Sequence, residues 1–115
     1  MTEARRQLGA AGEAQAAAWY QANGYRVLDR NWRCREGELD LVCRRGSVVV
    51  FCEVKSRSSA AFGHPAEAVT PAKQKRLRLL AVRWLESSTG SAGCSLRFDV
   101  ASVLAGKLEV IQAAF

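Results

Sequence analysis

The sequence has a single histidine and four cysteines, and neither type is arranged as a metal site. Cys34, Cys43, Cys52 and Cys94 lack CxxC spacing, and His64 has no second histidine to work with. A zinc centre of the usual Cys/His composition is thereby excluded. The opening stretch, MTEARRQLGAAGEAQ, lacks the apolar core of a secretory signal. No apolar run approaches the length needed to span a bilayer. Cys43 and Cys52 fall in strand-like apolar segments, where a free cysteine behaves as a small hydrophobe. Together these features lead to the expectation of a reduced, cytoplasmic protein. Neither an internal repeat nor a composition break suggests a second domain. Residues 1–115 are therefore expected to form one domain, large enough to bury a core without staples.

Hydrophobic residues make up 49% and charged residues 24%, the balance of an ordinary globular chain. The formal net charge of +6 favours association with polyanions, of which nucleic acid is the commonest. Alone this is weak, because many globular proteins are mildly basic.

Residues 3–22 are alanine-rich and free of proline, and they end at Asn23-Gly24, where glycine can supply a left-handed cap. They predict a helix. YRVLDRNWR (25–33) has a strand composition, with polar residues and Asn31 toward its end. ELDLVCR and SVVVFCEVK predict two more strands around Arg-Arg-Gly-Ser. After a loop-like stretch containing Phe62-Gly63-His64-Pro65, Thr70 and Pro71 mark a helix start that runs to about Ser87. Its apolar side carries Leu77, Leu80, Ala81, Trp84 and Leu85, and its other side Lys73, Lys75, Arg76, Arg78 and Arg83. SLRFDVASVLAGKLEVIQA predicts a hairpin turning at Ala105-Gly106. The order α-β-β-β-α-β-β implies an α/β fold with a mixed sheet flanked by helices.

Glu38, Asp40, Glu53 and Lys55 are charges within strands that should be largely buried. Alternation puts Glu38 and Asp40 on one face and Leu39 and Leu41 on the other. In the next strand Glu53, Lys55 and Arg57 share a face with Val49 and Phe51. With Arg45-Gly46 as the loop, paired residue numbers sum to 91 and Glu38 faces Glu53. A loop longer by two residues makes the sum 93 and sets Asp40 opposite Glu53. Either register converges carboxylates and a lysine on one patch. Such a cluster repels itself unless it is compensated. A divalent cation such as magnesium or manganese would do so, in the manner of metal-assisted phosphodiester hydrolysis. The plainer alternative is a structural salt bridge from Lys55 to Glu53 or Asp40. Glu36 has the same parity but precedes Gly37 and belongs to the turn.

GELDLV, a short hairpin and VVFCEVKSR together resemble the acidic–x(n)–[DE]xK signature of restriction-endonuclease-like nucleases. Within that group the chain resembles the YraN-like family of small bacterial predicted endonucleases. The likeness extends through GEAQAAAWYQANGYRVLDRNWR, FGHPAEAV, the PAKQKRLRLLAVRWL helix and RFDV. It implies a fold of the archaeal Holliday-junction-resolvase type, Asp40 and Glu53 as ligands of Mg²⁺ or Mn²⁺, and Lys55 as the catalytic lysine. It also points to Glu13 in the first helix, which by itself would pass for a solvated glutamate. Gln74 stands where some related nucleases carry a polar residue beside the active site. Resolvase-like relatives act as two-fold dimers, so a homodimer is one expectation, although no helix here advertises a dimer face.

The leading expectation is a metal-dependent endonuclease acting on DNA, branched or otherwise structured. Asp40 and Glu53 would hold metal beside Glu38 and Glu13, and Arg57, Lys73, Gln74 and Arg76 would contact the backbone. Two alternatives are a non-catalytic nucleic-acid-binding module of the same fold and an interaction subunit with a structural acidic patch. Asp99 in RFDV is expected to pair with Arg97 or Lys107. Trp19 and Trp84 are expected in the core, and Trp32 is open to either packing or base stacking.

Overall fold

The computed structural model describes residues 2–58 and 69–115. His64 and most of the FGHPAEAV segment lie outside the described residues. Seven elements follow in the expected order: α1 Glu3–Ala22, β1 Arg26–Cys34, β2 Gly37–Arg45, β3 Val48–Arg57, α2 Pro71–Ser87, β4 Ser95–Leu104 and β5 Lys107–Ile111. Both helices start where the sequence places a cap. The Thr2 hydroxyl accepts from the Arg5 amide and the Thr70 hydroxyl from the Lys73 amide, with Pro71 at the first helical turn. At the end of α1 the chain turns through Gly24 in the left-handed region (φ 84°), which glycine adopts without strain.

The five strands lie in the order β1-β2-β3-β4-β5. β3 and β4 pair in parallel, and the other three pairs are antiparallel. The sheet is therefore mixed, with α2 in the connection between its two parallel strands. Ala16, Ala17 and Tyr20 of α1 bury against Leu41, Cys43, Val50, Cys52 and Ala101. Leu80, Ala81 and Trp84 of α2 bury against Leu39, Val42, Val49, Phe51 and Phe98. The two helices thus bury separate apolar clusters. β3 is the central strand that its unbroken apolar run implies, with Val50 and Cys52 in the α1 cluster and Val49 and Phe51 in the α2 cluster.

The β2–β3 hairpin settles the register. Arg45 pairs with Val48 and Leu41 with Cys52, so paired numbers sum to 93. The loop is not lengthened to reach this value. A two-residue turn at Gly46-Ser47 does it, with Gly46 at φ 58°. Alternation in β2, however, does not run through as the sequence suggests. Leu39 packs in the α2 cluster and Leu41 in the α1 cluster, so the strand changes phase across Asp40.

All four cysteines are free, and Cys43 and Cys52 are buried. Burial raises the pKa of the Cys43 and Cys52 thiols, keeping both protonated and inert. Among the described residues, no helix is long and apolar enough to cross a membrane.

Candidate functional site

The phase change in β2 has a counterpart in β1. Asn31 takes a positive φ of 50°, a conformation that asparagine tolerates better than most residues. It lies between the rungs Arg30–Leu41 and Trp32–Leu39, across from Asp40. Consecutive residues therefore line one cleft on the α1 side: Arg30 with Asn31, and Asp40 with Leu41. Glu13, Ala10 and Ala14 of α1 close it. Like a bulge, the irregularity re-aims a side chain. It turns Asp40 toward α1, while Glu38 and Glu53 line a cleft on the α2 side with Lys55, Lys73, Arg76 and Leu80. The expectation that Leu39 and Leu41 share a face is corrected accordingly, since left-handed backbone at Asn31 marks the break in the alternation on which it rested.

The β2–β3 ladder ends at Leu41–Cys52, one rung short of Asp40 and Glu53. There the Val54 amide donates to Asp40 Oδ2 at 2.9 Å. A side-chain acceptor thus takes over from the backbone where the strands part, and it fixes the carboxylate while leaving Oδ1 for another partner. Asp40 lies at the centre of a carboxylate group drawn from α1, β2 and β3. Burial, and then the charge of Glu53, push its pKa from 3.8 up to about 7, with Glu13 and Glu38 adding to the rise. The bond from Val54 opposes this without cancelling it. Glu13 is raised as well, first by burial and then by Glu38 and Glu53, while a hydrogen bond from Asn31 pulls it down.

Two cations answer part of this charge. Lys55 Nζ lies 3.1 Å from Glu53 Oε1, both side chains largely buried, and Arg33 Nε lies 3.2 Å from Glu38 Oε2 at the exposed rim. The simple salt bridge considered for Lys55 is therefore present, but it satisfies only one carboxylate of the four. No ion pair joins Asp40 or Glu13 to a cation among the described residues. The remaining negative charge, all on hard oxygen donors, suits a divalent cation. No three of these groups are already drawn together as a ligand cluster among the described residues. Magnesium asks for less, since it is commonly held by one or two carboxylates, with waters and substrate phosphates completing its shell. Asp40 and Glu53 are the carboxylates that could supply them.

The basic candidates divide between two sides. Lys73 and Arg76 line the α2-side cleft, while Arg57 lines a larger groove beside α1. Lys55 lines both. Gln74 donates its amide to the Val69 carbonyl at 3.1 Å, within the entry to α2. Glu36 pairs with Arg83 at 2.8 Å, away from the cluster.

Other residues have structural work. Asp99 is fully buried and accepts from Tyr20 Oη at 2.6 Å, from Arg97 on both oxygens at 2.9 Å and from the Ala113 amide at 3.0 Å. It pairs with Arg97, one of its two expected partners. Trp84 donates to Asp29 Oδ2 at 3.1 Å from within the α2 cluster. Trp19 packs on the α1 cluster and Trp32 on the α2 cluster, so packing accounts for all three tryptophans. Asn31 is the site residue that the sequence reading passed over. The available signal was an asparagine inside a strand, a residue depleted there and tolerant of left-handed backbone.

The family model described as "Uncharacterised protein family UPF0102" matches residues 12–103, which includes Glu13, both acidic strands and the first nine residues of β4. A UPF0102 protein of Beutenbergia cavernae is 56% identical over 97 residues, covering 84% of this chain and 81% of its own. One from Moorella thermoacetica is 49% identical over 122 residues, covering all of both chains. A third, from Frankia alni, is 55% identical over 96 residues, covering 84% of this chain and 79% of its own. The match spans the segments that carried the resemblance to the YraN-like family, and this chain belongs to that family, UPF0102.

Proposed function

We propose that this protein is a magnesium- or manganese-dependent endonuclease that hydrolyses phosphodiester bonds in DNA, working in the cytoplasm. One observation carries the reading. Glu13, Glu38, Asp40 and Glu53 come from three separate elements, and the charges of Glu38 and Glu53 raise the proton affinity of both Asp40 and Glu13 across the point where β2 and β3 part, with Lys55 paired to Glu53. A cluster that keeps Asp40 half-protonated near neutrality costs stability for no structural return. Asp40 and Glu53 would hold the cation, with Glu38 and Glu13 close by. When bound, the cation supplies charge neutralisation at a phosphate oxygen and acidifies a coordinated water.

The chain's own groups do the rest. Lys55 is held by Glu53 at the junction of the two clefts, where its ammonium can orient a water or stabilise charge building on phosphate oxygens. Lys73 and Arg76 on one side and Arg57 on the other would hold the backbone without reading bases. Attack of water on phosphorus breaks one P–O bond and yields a phosphomonoester and a hydroxyl end.

The test is cleavage of labelled linear, nicked, flapped and four-way-junction DNA with Mg²⁺ or Mn²⁺, comparing wild type with Lys55→Ala and Asp40→Asn. Cutting that requires the metal and both residues supports the reading. Normal cutting by either variant refutes the site. Salt-dependent binding without cutting of any DNA or RNA favours the second reading, a nucleic-acid-binding module of the same fold, which the basic residues of both clefts would equally serve.

A further inference from the structure

The groove beside α1 is larger than backbone contact requires. It has a volume of about 600 Å³, against about 140 Å³ for the α2-side cleft. Cavities of roughly 300–1,000 Å³ hold small organic ligands. Leu8 and Gly9 of α1 and Val54 of β3 give it apolar walls. Arg5, Lys55 and Arg57 bring positive charge to it, and Glu13 connects it to the carboxylate cluster. Gly9 contributes to the width, because a Cβ built there meets nothing within 4 Å. A phosphate needs cations but no apolar wall. A nucleoside with its phosphate uses both.

We propose that this groove receives one unpaired nucleotide of the substrate strand, with its base against Leu8, Gly9 and Val54 and its phosphate toward Arg5 and Arg57. The proposal rests on the nucleic-acid reading above and adds a substrate class to it. Lys55 borders both the groove and the smaller cleft, so a strand crossing the carboxylates enters the groove on one side and the Lys73–Arg76 cleft on the other. A base inside an intact duplex can reach such a groove only by leaving its stack and its partner, which costs a few kcal/mol. Single strands, gaps, flaps and junctions present an unpaired base without that cost. Structure selectivity would then arise from the shape of the groove, with no base-reading element.

The experiment measures binding without metal, in EDTA and at fixed salt. Its probes are a single-stranded oligonucleotide carrying 2-aminopurine, a gapped duplex with the same base in the gap, and a blunt duplex. Gly9→Trp fills the groove from an open position, and Ala18→Trp, at an exposed position of the same helix outside the groove lining, is the control. Gly9→Trp should weaken single-strand and gap binding about tenfold, in line with loss of one base contact, with blunt-duplex affinity within about twofold. Ala18→Trp should bind as wild type. Arg5→Ala should lower the slope of log affinity against log salt by about one on the single-stranded and gapped probes and leave that of the blunt duplex unchanged, giving a second test that leaves the helix unburdened. Equal weakening of all probes by Gly9→Trp, or no weakening, overturns the groove assignment. Because no metal is present, absence of cleavage leaves this result standing and sinks only the nuclease reading. Absence of binding to any probe overturns the groove assignment and leaves the nuclease reading to the cleavage test.

Discussion

Removing the charge of Asp40 should stabilise the metal-free protein. Burial and neighbouring carboxylates raise its pKa from 3.8 to about 7 in the folded chain. An acid that binds its proton more tightly when folded destabilises the fold once it ionises. The penalty is absent below about pH 4, grows between about pH 4 and 7, and is complete above that. At about 1.36 kcal/mol per tenfold change in proton affinity, it approaches roughly 4 kcal/mol. Asp40→Asn keeps an oxygen for the Val54 amide, and the stronger bond that the charged carboxylate makes there is already counted in the shift. The variant should therefore be more stable by about 4 kcal/mol at pH 8.5 and equal to wild type near pH 4. Urea unfolding in EDTA across this range measures it, with a midpoint shift of about 1 M or more at the alkaline end. Manganese should then raise the midpoint of the wild type and leave that of the variant nearly unchanged. An Asp40→Asn protein no more stable than wild type at pH 8.5, or a difference independent of pH, would show that the carboxylate is not strained by its neighbours.

Asn31 allows backbone and side-chain roles to be separated. Asn31→Gly accepts a φ of 50° freely and should keep stability, whereas Asn31→Ala should lose about 1 kcal/mol in the same unfolding assay. Both remove a bond that lowers the pKa of Glu13, so the Glu13 carboxyl resonance followed by NMR should titrate higher in each. Asp99→Asn leaves Arg97 facing an amide in a half-buried setting and should destabilise by about 3–5 kcal/mol in chemical denaturation. Gly12→Ala drives a methyl into Ser56 and should cost about 1–3 kcal/mol, much of it recovered in the double variant with Ser56→Gly. Ser56 Oγ is buried and has no hydrogen-bond partner among the described residues, so Ser56→Ala alone should be nearly neutral in thermal melts.

The sequence by itself determined the elements and their order. Capping threonines, the proline after Thr70, the glycine after α1 and the alternating strands are local signals, and each acts within a few residues of where it is written. The apolar run of β3 likewise foretold a central strand, because a strand covered on both faces has no solvent side to mark with polar residues. The register was narrowed to two values, and only the choice of Gly46-Ser47 over Arg45-Gly46 as the turn selected one. Tertiary structure alone decided how the acidic residues are arranged. Glu13 reaches the cluster because α1 packs across the sheet, a contact that no spacing rule within the helix contains. Asp40 turns toward Glu13 because Asn31, across the ladder, adopts left-handed backbone and breaks the phase of both strands together. Periodicity assumes a regular strand, and the candidate site forms where the strand stops being regular.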